Sequence, residues 1–212
     1  MAQRLVRGDV DCPLTAPATI VWGDVGQAHA LLEEEGGRAL VKGLPAEDVY
    51  AAIVDVGLAD CTDIVQLSTP AQFRTYLDLA AWKGDRMDPL EVLRWVRAAR
   101  GDDGEGLSAK LAALDIEVLE LLFKKLTVAH DLEEDPDVNP GGVTVETPEG
   151  KFLLELLIDG PDEAALRQLT QDLIAQNPFE LARFLEAVRW ELPTELEEAA
   201  FQFRQARLQD LG

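Results

Sequence analysis

Six of the eleven prolines stand two residues before a glutamate or glutamine, a spacing typical of helix N-termini. They are Pro45, Pro70, Pro89, Pro161, Pro178 and Pro193. Proline fits the first helical position because its missing N–H needs no partner there. Thr69, Asp88 and Asn177 directly precede three of these prolines, and each offers a side-chain oxygen that can cap a helix. The chain is therefore predicted to be a series of short helices.

Apolar residues between these starts recur at the helical spacing of three or four positions. Val49 and Ile53 follow Pro45 in this way. A longer amphipathic run extends from Leu107 to Val128, and we expect a break in it near Asp115. Three further helices are predicted at the C-terminal end, one after each of the last three of these prolines.

One segment departs from the helical pattern. Val143, Val145 and Thr147 alternate with other residues, as in a half-buried strand. A Pro-Glu-Gly turn ending at Gly150 follows, and the apolar residues from Lys151 to Ile158 complete an antiparallel hairpin. A two-stranded ribbon is not stable alone, so it should lie against helices. The predicted fold class is mainly α: stacked short helices in a superhelix-like arrangement, with one antiparallel β-hairpin.

Composition divides the chain into three predicted parts. Residues 1–24 form an irregular N-terminal segment, and residues 25–130 form the helical, superhelix-like part. Residues 131–212 contain an acidic loop, the hairpin and the three C-terminal helices. We expect this last part to pack on the helical part.

The charge of the chain limits its partners. Forty acidic and 19 basic side chains give a formal net charge of −21. Nucleic acids and anionic membrane surfaces are bound through basic surfaces, so neither is expected as a partner. The charge instead favours a protein partner or weak binding of divalent cations. The oligomeric state stays open.

The expected location is the cytoplasm. Arg4, Arg7 and Asp9 interrupt any apolar signal-peptide core, and no apolar run approaches the roughly 20 residues that span a bilayer. The two cysteines, Cys12 and Cys61, form no disulfide framework, and both are expected to be free thiols in a reducing compartment.

No catalytic constellation is recognisable. The two histidines, His29 and His130, lie in no zinc-binding motif, and His130 is interpreted as a helix-end residue near the C-terminal dipole. Ser68 and Ser108 lack the glycines of a nucleophile elbow and are interpreted as helix-start residues. We therefore predict no catalytic residue and no cofactor.

Alternating acids resemble the start of a calcium-binding loop and are the candidate metal ligands: Asp131, Glu133, Asp135 and Asp137. However, Pro136 occupies the position where such a loop needs glycine, and Gly142 stands where it needs a bidentate glutamate. We therefore prefer the interpretation of a solvated acidic loop.

The candidate interaction site is the segment that contains Asp78, Trp82 and Asp85, where acids, an aromatic ring and turn residues are concentrated. A structural alternative stays open. Asp88 would cap the next helix, and Trp82 would pack in the core or beneath the loop.

Several segments together resemble a bacterial family of unknown function. They are Leu44 to Gly57, Leu67 to Gln72, Leu77 to Trp82, the hairpin, and Glu197 to Gly212. The first part also resembles the helical superhelix of the cytoplasmic N-domains of magnesium transporters. Both resemblances imply helical stacking, and neither assigns catalytic residues. The family resemblance and the uninterrupted last helix suggest a natural protein that continues beyond residue 212.

The leading functional hypothesis is a non-enzymatic protein-interaction or regulatory module, because stacked helices expose extended surfaces. One alternative is an acidic regulatory domain that responds to divalent cations. Another is an enzyme that uses paired carboxylates. Divalent cations are expected to raise the melting temperature modestly, without a high-affinity site.

Overall fold

The computed structural model describes residues 35–102, 104 and 106–211. The irregular segment predicted for residues 1–24 lies outside them. The described residues form ten α-helices, one 3-10 turn and five short strands, so the predicted mainly α fold is confirmed. None of the described helices is both long and apolar enough to cross a lipid bilayer.

The chain from residue 35 to residue 126 forms seven helices and a small ribbon. The helices are α1 (Glu35–Gly43), α2 (Ala46–Val56), α3 (Thr62–Leu67), α4 (Pro70–Ala80), α5 (Pro89–Arg100), α6 (Leu107–Leu111) and α7 (Ile116–Leu126), with a 3-10 turn at Leu58–Asp60. Strands β1 (Trp82–Lys83) and β2 (Arg86–Met87) pair antiparallel between α4 and α5. The break expected near Asp115 is confirmed, because α6 and α7 are separate helices.

The remaining chain begins with three strands and ends with three helices. The strands are β3 (Thr127–Asp131), β4 (Thr144–Glu146) and β5 (Phe152–Leu156). They form one antiparallel sheet in the order β3–β5–β4, with Val128 opposite Glu155 and Val145 opposite Leu154. The helices are α8 (Gly160–Gln176), α9 (Pro178–Trp190) and α10 (Pro193–Leu211).

The six prolines mark helix starts as predicted, because each lies within one residue of the first residue of a helix. Thr69 and Gln72 form a complete capping box at α4. The Gln72 N–H donates to Thr69 Oγ1 at 3.2 Å, and the Thr69 N–H donates to Gln72 Oε1 at 2.8 Å. Asp88 Oδ1 accepts the N–H groups of Leu90 and Glu91 and so caps α5.

The prediction of a single hairpin is wrong, although its strands are confirmed as β4 and β5. β5 also pairs with β3 on its other edge, and β1 and β2 form a second ribbon. No glycine or proline separates α7 from β3. The backbone becomes extended at Thr127 (φ −138°, ψ 163°). Strand β5 pairs with this segment and so provides backbone hydrogen bonds in place of those of a further helical turn. His130 therefore lies in a strand and not at a helix end, with its Nε2 3.1 Å from Glu155 Oε2.

The hydrophobic core extends through both halves of the described chain, with α7 near its centre. Leu121, Leu122 and Phe123 are fully buried because α7 packs against α5, α9, α10 and β3. α8 packs in turn on α5 and α9. These contacts place the exposed first turn of α7 beside the end of α8 and the start of α9.

Candidate functional site

The first turn of α7 exposes apolar surface at the edge of the core. Leu119 is buried, whereas the Ile116 side chain, almost one turn earlier, is 50% exposed. The C-terminal end of α8 and the first turns of α9 approach this turn without covering it. The described residues therefore leave an apolar strip exposed.

This strip belongs to a cavity of about 420 Å³ between α7, α8 and α9. Its apolar lining, which we call the apolar groove, consists of Ile116, Leu119, Leu173, Leu181, Phe184 and Ala187. Phe184 packs edge-on against Phe123 of the core, with ring centroids 5.1 Å apart and planes at 89°. This contact anchors one wall of the groove to the most buried part of the molecule.

Glu120 also lines the groove and is only 9% exposed. Its carboxylate has no hydrogen bond or ion pair with any part of the chain that the structure describes, and its oxygens are not completely enclosed. Burial raises the pKa of Glu120, and the negative charges of Glu117 and Glu191 raise this pKa further. The groove thus combines apolar walls with one largely buried acid that has no counter-ion among the described residues.

The other buried carboxylates of the described chain are paired. Asp78 is 4% exposed and accepts from Arg207 Nε at 2.7 Å and Nη2 at 2.8 Å. Asp131 is 6% exposed and accepts from Arg189 Nη1 at 2.9 Å. Of the three buried acids in the described part of the chain, Glu120 is therefore the one without an arginine partner.

Polar residues surround the apolar groove. Gln176 and Asn177 lie at the end of α8, while Glu180 and Arg183 lie on the exposed side of α9. Arg183 is the one basic side chain among the groove-lining residues that the structure describes. With the acids that act on Glu120, the surroundings of the groove are mainly negative.

Comparison with known protein families gives a match over most of the chain. Residues 25–212 match the family of unknown function DUF6178. The chain belongs to this family. No curated protein and no solved structure matches it. The resemblance to a family of unknown function is confirmed, while the resemblance to magnesium-transporter domains gains no support.

In this DUF6178 chain, two members of the predicted interaction site contact α10. Arg207 binds the Asp78 carboxylate, and Arg204 Nε donates to the Asp78 carbonyl oxygen at 2.6 Å. Trp82 packs on Phe201, with centroids 5.9 Å apart, and beneath the Arg204 guanidinium at 5.6 Å. These contacts hold Asp78 and Trp82 against α10.

Asp85 does not join them, because it lies exposed in the turn between β1 and β2. Asp88 caps α5, as expected if this segment has a structural role. Whether any of the segment binds a partner stays a prediction.

The four candidate metal ligands do not converge in this DUF6178 chain. Asp131 is occupied by Arg189, and its Oδ1 accepts the N–H of Glu133 at 2.9 Å. Glu133, Asp135 and Asp137 are exposed. Across the described residues, no group of three or more His, Cys, Asp or Glu side chains is arranged to hold a metal ion.

The sequence reasoning did not identify the apolar groove, because its walls come from three helices that are far apart in the chain. One local signal points to it. Ile116, Glu120 and Phe123 follow each other at helical spacing on α7, so an acid interrupts an otherwise apolar face. An acid at such a position either forms an ion pair with a residue of another helix or strand, or remains accessible to solvent or a ligand.

Proposed function

We propose that this DUF6178 protein is a non-enzymatic binding module whose apolar groove holds an amphipathic helix of a partner protein. The observation that carries the proposal is the open groove between α7, α8 and α9, with Ile116 half exposed at its edge. Exposed apolar surface that lines a concavity and is bordered by polar residues is typical of interaction sites.

The groove is large enough to hold a few side chains of a bound helix. A volume of about 420 Å³ lies within the usual range of ligand sites, about 300–1,000 Å³. A bound helix presents apolar side chains at positions i, i+3, i+4 and i+7 along one face, and two or three of these would fill the space. Leu173 and Phe184 are partly buried, so their remaining exposed surface is available for contact.

A binding role is also consistent with the chemistry of the groove. Its lining contains no histidine, cysteine, serine or lysine among the described residues, so no nucleophile or imidazole base faces the space. The lining contains two acids, Glu120 and Glu180, and Glu180 is exposed to solvent. We therefore assign recognition, and not catalysis, to the groove.

Peptide binding tests this function. The probe is a fluorescein-labelled helical peptide of about 18 residues with leucines on one face, made in a basic version with lysines and a neutral version with glutamines on the other face. Fluorescence anisotropy of the full chain measures both affinities. A scrambled peptide of each composition serves as the control for non-specific hydrophobic binding.

The variant Ile116→Asp should weaken binding of both helical peptides about tenfold or more, because a charge then stands at the edge of the apolar contact. Ile116 is half exposed, so the variant should keep its fold. Val54→Asp is the matched control: Val54 is 56% exposed, lies on α2 outside the groove and should leave both affinities unchanged. Equal binding of helical and scrambled peptides, or equal effects of the two substitutions, would refute the proposal.

A further inference from the structure

We infer that the helix held in the apolar groove is basic, and that Glu120 receives one of its lysine or arginine side chains. The inference rests on the proposed function, because it names the chemistry of the partner for the same groove. The decisive geometry is an acid that lines the groove, is more than nine-tenths buried and has no partner in the described chain.

A largely buried carboxylate without a counter-ion is unfavourable, because it loses part of its hydration and gains no compensating bond. The same fold pairs both of its other buried carboxylates, Asp78 and Asp131, with arginines. Glu120 differs from them in one respect, since it borders a cavity that another molecule can enter. A cation delivered by that molecule would give Glu120 the counter-ion that the described residues do not supply.

The surroundings of Glu120 favour a cation over a neutral donor. Glu117 and Glu191 act on it through their charges, and Glu180 lies in the groove lining. At a net charge of −21, the whole molecule attracts basic segments and accelerates their encounter. Arg183 lines the same cavity, but it is exposed and makes no ion pair with Glu120.

A metal ion is a poorer occupant than an organic cation. Divalent ions need several oxygen or nitrogen ligands around one point, and no suitable group of three His, Cys, Asp or Glu side chains exists in the described part of the chain. A lysine ammonium or an arginine guanidinium needs only one carboxylate and brings an aliphatic stem. That stem matches the leucine and phenylalanine walls of the groove.

The test uses the basic and the neutral helical peptides with wild-type protein and with Glu120→Gln, which keeps the shape of the side chain and removes its charge. Wild-type protein should bind the basic peptide at least about tenfold more tightly than the neutral one. Glu120→Gln should remove most of this preference by weakening the basic peptide, while the neutral peptide keeps its affinity within about twofold.

Asp55→Asn is the matched control, because Asp55 is exposed on α2 and its substitution changes the net charge by the same amount. It should leave the preference for the basic peptide intact. A loss of preference in both variants would mean that only overall charge matters, and would overturn the role of Glu120. Thermal melts of each variant confirm that the fold is kept.

The two proposals fail in different ways. Equal affinity of wild-type protein for the two peptides, with Ile116→Asp weakening both, overturns the inference and leaves the proposed function standing. Binding of neither helical peptide overturns both. Unchanged binding of the basic peptide to Glu120→Gln overturns the pairing with Glu120.

Discussion

Glu120 shows how one side chain can report on both stability and function. Its pKa is raised by burial first and by Glu117 and Glu191 second, so folding favours the protonated form. A raised carboxyl pKa means that the ionised group destabilises the folded chain. This cost is absent below the ordinary glutamate pKa of about 4.3, and it becomes complete as pH rises through the raised pKa.

We expect Glu120→Gln to increase the stability of the unliganded protein at neutral pH, because it removes the charge and keeps the shape. The expected gain is about 1 kcal/mol, or roughly 2–4 °C in melting temperature for a chain of this size. The gain should disappear near pH 4, where Glu120 of the wild-type protein is protonated. Thermal melts at pH 7 and pH 4 measure it, with Asp55→Asn as the control. A destabilised variant at pH 7 would show that Glu120 has a stabilising partner.

At the level of the elements, α10 holds distant parts of the chain together through charged side chains. Arg207 binds Asp78 on α4 with two nitrogens and lies 2.6 Å from the Asp115 carboxylate before α7. Glu197 accepts the N–H of Met87 at 2.9 Å and forms an ion pair with Lys125 of α7. α10 therefore joins the ribbon of β1 and β2 to α4 and α7.

Arg207→Ala should destabilise the protein by about 2–3 kcal/mol, because it leaves the buried Asp78 carboxylate without its cation. Arg94→Ala is the matched control. Arg94 is more than half exposed and pairs with Glu91 on the surface of α5, so its loss should cost less than about 1 kcal/mol. Urea unfolding gives both values. Similar costs for the two substitutions would contradict the structural role of the Arg207 contact.

Sequence reasoning predicts helix starts well because their chemistry is local. Thr69 and Gln72 are three residues apart, and their hydrogen bonds close within one turn. β3 is different, since Thr127 becomes extended only because β5 offers a partner from a distant part of the chain. Nothing in the residues around Thr127 records that pairing.

The site was less predictable than the fold for the same reason. Trp82 and Asp78 attract attention in the sequence, yet α10 covers them with Phe201 and Arg207. The apolar groove needs three helices to come together, and the one trace of its acid in the sequence is that Glu120 interrupts the apolar face of α7. Only the three-dimensional structure shows that Glu120 is buried and has no partner among the described residues.

The whole molecule carries a large negative charge, and this should make its stability depend on ions. About 10 mM magnesium chloride should raise the melting temperature by more than sodium chloride of equal ionic strength does, because divalent ions associate with and screen acidic surfaces more strongly. The effect should be modest and graded, since no three-residue ligand group exists among the described residues. Calorimetry that detects a stoichiometric magnesium or calcium site of micromolar affinity would contradict this expectation.

The most direct test of the proposed binding role is an NMR titration of the isotope-labelled protein with the basic helical peptide. Binding in the apolar groove should shift the resonances of Ile116, Leu173 and Phe184 first, together with the Glu120 side chain. Resonances of Val54 on α2 should not move. Shifts that spread over the acidic surface and leave the groove unchanged, or shifts confined to another face, would contradict the account.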